Sequence, residues 1–254
     1  MDDNKELIAQ CEAKAKLWLA PAFDEETRKS VQSMLDNEDK TDLIESFYKD
    51  LEFGTGGLRG IMGAGSNRMN VYTVGMATQG FANYVHKAFP GRTDLAAVVG
   101  HDCRNNGRLF AETVAAIFSA HGIKVYLFES LRPTPEISFA IRQLGAQCGV
   151  NVTASHNPKE YNGYKFYDKD GVEAAYEVNE DIEKTLASRP DELSIAYPPY
   201  EKKGEVIYLD ETNDFDDEFL EKERTTSLYK DFFVGKRRTK IIFSSENGCT
   251  SKLA

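Results

Sequence analysis

The sequence predicts a doubly wound α/β fold whose sheet is mixed, mostly parallel and flanked by helices. Three observations predict it. Short, nearly continuous apolar runs at Leu95–Gly100, Ile123–Phe128 and Ala146–Val152 read as strands buried on both faces. Between them, Phe110, Val114, Ile117 and Phe118, and then Ile137, Phe139, Ala140, Ile141 and Leu144, recur at helical spacing. The links between these runs are short, and strand–helix–strand–helix–strand with short links is the pattern of a parallel sheet covered by helices.

In chain order, a helical segment comes first. Leu7, Ile8, Cys11, Ala15, Trp18 and Leu19 lie at helical spacing, and Pro21 ends the run because the residue before a proline avoids the α region. Asp24 caps a second helix with Val31, Met34 and Leu35 on one face. Asp42 and Glu45 have capping-box spacing ahead of Phe47, Tyr48 and Leu51. Residues 1–50 are therefore expected to form an acidic helical extension, and residues 51–200 the α/β domain. Within that domain Gly122 and Gly145 close the two helices, and Pro133 and Pro135 open the second. Asp191–Lys203, with Pro198 and Pro199, reads as a linker. Glu205–Leu209 follows as a strand, Asn213–Tyr229 as a helix with Phe215, Phe219 and Leu220 on its apolar face, and Lys240–Phe243 as a further strand.

Composition bounds the function. The 254 residues are 41% hydrophobic and 28% charged, an ordinary globular balance with length enough for a core without disulfides. A net charge of −10 argues against nucleic acid as a partner. No apolar run approaches the ~18 residues of a membrane span, so no membrane partner is expected. The polar N-terminus MDDNKELIAQ and four scattered cysteines (Cys11, Cys103, Cys148, Cys249) point to a cytoplasmic location. The charge is also segmented: residues 1–52 carry net −7, residues 53–170 net +4 and residues 171–254 net −7. A positive, glycine-rich centre in an acidic chain suits a phosphorylated ligand.

Ligands of open α/β sheets sit at the carboxyl ends of the strands. Three loops leave those ends here, His101–Gly107, Ser130–Pro135 and Thr153–Gly163. Thr153-Ala154-Ser155-His156-Asn157-Pro158 directly follows a strand, and Asn157-Pro158 and Asn162-Gly163 are turn signals, so Ser155 is expected at the crown of an exposed loop; turn punctuation alone would also account for these residues. A hydrolase triad is disfavoured, since no G-x-S-x-G is present. Gly54-Thr55-Gly56-Gly57-Leu58-Arg59-Gly60 can bring backbone amides and Arg59 to a phosphate, or be an empty turn; it lacks the Gly-Lys-Ser/Thr of a P-loop. Arg104 would face the same crevice, or be a surface arginine on a connection. Lys165, between Tyr164 and Phe166, lies ten residues after Ser155, far enough for the chain to return beside it, and is either an acid/base or a strand lysine lying over aromatic neighbours.

Together, TASHNP followed by NGYK, preceded in order by GTGGLRG, GHDCR and RPTPE, resemble the N-terminal part of the α-D-phosphohexomutases, the phosphoglucomutase/phosphomannomutase family, most of all the phosphoglucomutase branch with an N-terminal helical extension. The resemblance implies that Ser155 is phosphorylated and passes its phosphoryl group to a hexose phosphate. A hexose 1,6-bisphosphate then serves as intermediate and primer, and phosphate moves between O1 and O6. It implies catalytic roles for Ser155, His156, Lys165 and Arg59, and substrate or phosphate binding by Arg59, Arg104, Asn157 and Lys165. It further implies Mg²⁺ bridging the Ser155 phosphate, and a second, similar domain begun by residues 201–254.

The family's aspartate-rich metal loop has no counterpart here, and its His-Gly-containing loop after Lys240-Ile241-Ile242-Phe243 is replaced by Ser244–Ala254. Those last residues are read as a frameshifted or prematurely ended tail. Two functional readings follow: a phosphohexomutase represented by its N-terminal portion, and a non-catalytic phosphate-binding fragment. A nucleotide-binding protein built on GTGGLRG is a weaker third.

Overall fold

A computed structural model describes residues 2–54, 57–174, 180, 182, 204–209, 215–228, 240, 242–250 and 253. Three helices, α1 (Asp2–Leu17), α2 (Glu25–Asp36) and α3 (Thr41–Phe47), lead into a short hairpin of β1 (Phe53–Gly54) and β2 (Gly57–Ile61). Then follow α4 (Val71–Ala88), β3 (Ala96–His101), α5 (Gly107–Ala120), β4 (Lys124–Leu127), α6 (Thr134–Gln143), β5 (Cys148–Val152), β6 (Tyr161–Tyr167), β7 (Val206–Tyr208) and α7 (Phe215–Thr226). The strands form one sheet in the order β1-β2-β6-β5-β3-β4-β7. β5, β3, β4 and β7 run parallel, whereas β6 is antiparallel to β5 and β2, and β1 to β2. The sheet is thus mixed and mostly parallel, as the sequence predicts.

The continuous apolar runs are explained by burial on both faces. Ala97 and Val99 of β3 pack into one core with Phe81, Phe110, Val114 and Phe118 of α4 and α5. The alternate residues Ala96 and Val98 pack into another with Ile137, Ala140 and Ile141 of α6. A strand with period-two side chains and helices on both sides must be apolar throughout. Phe81 anchors the first core, 4.7 Å from the Phe166 ring and 5.8 Å from Phe118. Each such fully buried side chain contributes about 1.5–3 kcal/mol.

The N-terminal helices form a third cluster around Trp18, which stacks on Phe23 at 4.6 Å and meets Tyr72 edge-on at 5.6 Å. Asp24 is the N-cap of α2, as expected, and accepts from the Thr27 N–H at 2.8 Å; its carboxylate also accepts from the Tyr72 hydroxyl at 2.8 Å, docking the extension on the start of α4. Asp42 does not cap α3. The helix begins at Thr41, whose N–H donates to Asp39 at 2.9 Å, and Asp42 pairs instead with Arg68 at 3.0 Å.

Two further expectations are corrected. Asn162-Gly163 is not a turn but lies inside β6. Asn162 is buried, its own Oδ1 accepts from the Gly163 N–H, and a Cβ at Gly163 would stand 2.4 Å from the Thr153 carbonyl oxygen. Among the described residues of 201–254, β7 pairs in parallel with β4, Val125 opposite Val206, and forms the edge of the first sheet. Phe215 and Phe219 of α7 pack beside Phe139 at 5.5 and 5.6 Å, in the same core as α6. Finally, Ile242 and Phe243 are exposed and belong to no strand. The expected linker at Asp191–Lys203 lies outside the described residues.

Candidate functional site

The loops after β3, β4 and β5 meet where the strand order reverses, since β3 leads outward to β4 and the chain then crosses back to β5. A cavity of about 810 Å³ opens there, lined by Arg104 from the first loop, Arg132 and Thr134 from the second, and Ser155, His156 and Lys159 from the third. Asn247 and Cys249 close its remaining side, with the Cys103 thiol donating to the Asn247 carbonyl at 2.8 Å. Burial pushes the Cys249 thiol up to about 11.

Ser155 occupies the crown of its loop, exposed, with φ +55°. A non-glycine residue in that left-handed region costs about 1–2 kcal/mol and needs its surroundings to hold it. Its N–H donates to Thr153 Oγ1 at 3.1 Å, and that hydroxyl donates in turn to Asp102 Oδ2 at 2.6 Å. Asp102 Oδ1 accepts from the Arg104 N–H at 2.9 Å. The Ser155 hydroxyl lies 3.4 Å from His156 Nδ1, a long contact.

Arg104 holds the loop from below. Its Nη1 donates to the carbonyls of Pro158 at 2.8 Å and Tyr161 at 2.9 Å, and its Nη2 to those of Ser155 at 2.8 Å and Asn157 at 2.6 Å. Its Nε faces Asp102 Oδ2 at 3.3 Å. A guanidinium has five N–H donors; here four are taken by carbonyls and the fifth faces a carboxylate. Its four Nη donors are thus turned to the loop's backbone carbonyls, and its buried Nε makes no hydrogen bond, only the ion-pair contact with Asp102.

Arg59, on β2, does face outward. Its guanidinium is exposed and donates to Asn157 Oδ1 at 2.9 Å, which ties the hairpin to the Ser155 loop. Leu58 and Gly60 turn to the opposite face and are buried. The glycine-rich segment is thus the hairpin itself, with Gly54 opposite Gly57; Thr55 and Gly56 lie outside the described residues. Lys165 is on β6, opposite Gly57 and Asn151. It lines a smaller adjoining cavity of about 310 Å³ with Arg59, and its Nζ lies 3.0 and 3.1 Å from the two Glu173 carboxylate oxygens. The structure therefore brings Ser155, His156, Asn157 and Arg59 together and sets Lys165 beside Arg59, one cavity away from Ser155.

No group of three His, Cys, Asp or Glu side chains capable of holding a metal occurs among the described residues. Asp102 is committed to Thr153 and Arg104, and Asp216 pairs with the buried Arg132 at 2.8 Å. The described residues do not supply a Mg²⁺ ligand set. Sequence reading missed Asp102 and Thr153, which orient the loop, and Glu173, which holds Lys165. For Thr153 a signal was available: a threonine two residues before Ser155 is the spacing of a side-chain-to-backbone turn.

With this geometry established, the similarity to known proteins is specific. Residues 50–192 match the family model for phosphoglucomutase/phosphomannomutase, alpha/beta/alpha domain I. A Schizosaccharomyces pombe protein named as a probable phosphoribomutase is 44% identical over 150 residues, 59% of this chain and 26% of its own length. A Staphylococcus epidermidis phosphoglucomutase is 36% identical over 168 residues, 66% of this chain and 30% of its own. A crystal structure from Thermus thermophilus, assigned provisionally as a phosphomannomutase, aligns with a TM-score of 0.56 at 30% identity, covering 69% of this chain and 36% of that one. The chain thus spans about a quarter to a third of the length of these curated relatives. With a matching domain that contains the Ser155 loop, Arg59, Arg104 and Lys165, the chain belongs to the phosphoglucomutase/phosphomannomutase family.

Proposed function

We propose that the chain carries the phosphoacceptor half of a hexose-phosphate mutase site. Ser155 Oγ attacks a phosphoryl group of a hexose 1,6-bisphosphate. The Oγ–P bond forms, the sugar O–P bond breaks, and the hydroxyl proton passes to the departing sugar oxygen. The reverse step, onto the other hydroxyl of the hexose phosphate, moves phosphate between O1 and O6. The observation that carries this reading is the setting of Ser155: an exposed hydroxyl on a strained, fully braced loop, with His156 beside it and Arg59 reaching the same loop. A phosphoserine adds about −1.5 to −2 charges, which an arginine at this position offsets.

Phosphoryl transfer depends mostly on positioning and charge neutralisation. Arg59 supplies donors, Asn157 aims them, and His156 Nδ1 is the ring nitrogen placed to pass on the serine proton. Lys165, the proton carrier expected at the sugar hydroxyl, reaches the substrate only on leaving Glu173. The Mg²⁺ that the resemblance implies finds no ligand set among the described residues, and the reading takes no step through it. No described helix is long and apolar enough to cross a membrane, and a cytoplasmic location is part of the proposal.

The 254-residue chain is expected to accept phosphate without sustained turnover. Intact mass after incubation with glucose 1,6-bisphosphate tests this, with a coupled glucose 1-phosphate assay alongside. One added phosphoryl group and no steady turnover are expected; an unchanged mass contradicts the reading. Ribose 1,5-bisphosphate is the second donor to compare, given the name of the S. pombe relative.

A further inference from the structure

We propose that Arg104, oriented by Asp102, is the positioning residue that holds Ser155 in its left-handed backbone conformation and so aims the phosphoacceptor. Four carbonyl oxygens, those of Ser155, Asn157, Pro158 and Tyr161, converge on one guanidinium within 2.6–2.9 Å. Carbonyls gathered this way repel one another unless a cation sits among them, and a planar fork with five donors satisfies them in a fixed geometry. Asp102 fixes the fork through its contact with Nε and, through Thr153 Oγ1, fixes the Ser155 N–H as well. Both peptide groups flanking the Ser155 Cα are therefore anchored to one Asp102–Arg104 pair. Arg104 is only 10% exposed at its side chain, and Asp102 13%, so water does not compete strongly for these bonds.

Lysine cannot replace this residue. An ammonium has three donors radiating from a point, whereas the carbonyls to be bridged belong to four residues along a seven-residue stretch. Arg104→Lys keeps the charge and loses the span, which separates positioning from simple electrostatics.

The test has two arms on the full chain. In the first, amide hydrogen exchange is followed residue by residue without ligand. The amides of Ser155, Asn157 and Tyr161 are each hydrogen-bonded within the loop. Arg104→Lys and Arg104→Ala are expected to speed their exchange about tenfold or more while the amides of β4 and α5 are unchanged. In the second, phosphate uptake from glucose 1,6-bisphosphate is measured in a single turnover. The maximal rate is expected to fall with the half-saturating concentration unchanged. A loop that stays protected in Arg104→Lys, with a raised half-saturating concentration, would make Arg104 a phosphate ligand and overturn the proposal. Faster exchange throughout the molecule would make it a general stabiliser and also overturn it. If the Arg104 variants do not fold, Asp102→Asn decides: faster exchange confined to the loop supports the proposal, and an unchanged loop refutes it. The second arm rests on the reading of Ser155 as phosphoacceptor. A wild-type chain that takes no phosphate defeats that reading, while the exchange arm still decides the role of Arg104.

Discussion

Two arginines border the Ser155 loop, and from sequence both are expected to bind phosphate. Arg59 comes from the edge hairpin β1–β2, is exposed, and makes one described hydrogen bond, to Asn157. Arg104 comes from the centre of the sheet, after β3, and spends its guanidinium on four carbonyls and Asp102. The difference follows from where each strand lies. A residue after a central parallel strand is enclosed by neighbouring loops, whose backbone oxygens need donors. A residue on an edge hairpin meets solvent on one side and keeps donors for a ligand. On the proposed reading, the same residue type builds the site in one place and serves it in the other.

The sharpest way to break this comparison is to remove the outward arginine. Arg59→Ala is expected to slow phosphate uptake about tenfold to a hundredfold, as loss of one charged hydrogen-bond partner does. Its unfolding midpoint in urea should match the wild type, because an exposed side chain contributes little to stability. A large loss of stability with normal uptake would reverse the two roles. The loop can also be disturbed from the opposite strand. Gly163→Ala places a methyl 2.4 Å from the Thr153 carbonyl oxygen and 3.0 Å from that of Leu58, both backbone atoms that cannot swing away. A loss of about 1–3 kcal/mol in denaturant unfolding is expected.

Arg132 extends the comparison to the far side of the cavity. It is 2% exposed, and its Nε donates to Asp216 at 2.8 Å, joining α7 to the loop after β4. Asp216→Ala should cost about 2 kcal/mol in denaturant unfolding, since a buried charge loses an ionised partner. Unchanged stability would show that α7 is not held through this pair. The smallest effect belongs to the N-terminal extension. Burial alone would raise the Asp24 carboxyl, but the hydrogen bonds from Thr27 and Tyr72 outweigh it and hold the group below the usual carboxylate range. A depressed carboxylate stabilises the fold above its unfolded value, near 3.9, and that contribution is lost as pH falls through the folded value. The stability gap between wild type and Asp24→Asn should be below about 1 kcal/mol at neutral pH and close at pH values under about 4. A gap that widens on acidification would contradict this.

Much of the centre was legible because burial on two faces leaves an unmistakable apolar run, as in Ala96–His101 and Cys148–Val152. The helix Val71–Ala88 was not assigned from sequence. Its face is built of alanine, glycine, valine and aromatic residues, and its cap is Asn70 with Thr73 in place of the usual acidic partner. Asn162-Gly163 imitates a turn because the glycine that permits a tight bend also permits close backbone approach within a sheet. β7 read as a strand, but its partner β4 lies some eighty residues earlier, and three residues carry no information about such a partner. In the site, Ser155, His156 and Asn157 were legible because they occupy a loop at a strand's carboxyl end. Asp102, Thr153 and Glu173 were not, because what they do depends on tertiary hydrogen bonds that have no spacing in the sequence.

The most direct test is to locate the phosphoryl group. After incubation with glucose 1,6-bisphosphate, peptide mapping by tandem mass spectrometry should find phosphate on Ser155 alone, and Ser155→Ala should take up none. Phosphate on another residue, or equal uptake by Ser155→Ala, would contradict the assignment of Ser155 as the phosphoacceptor.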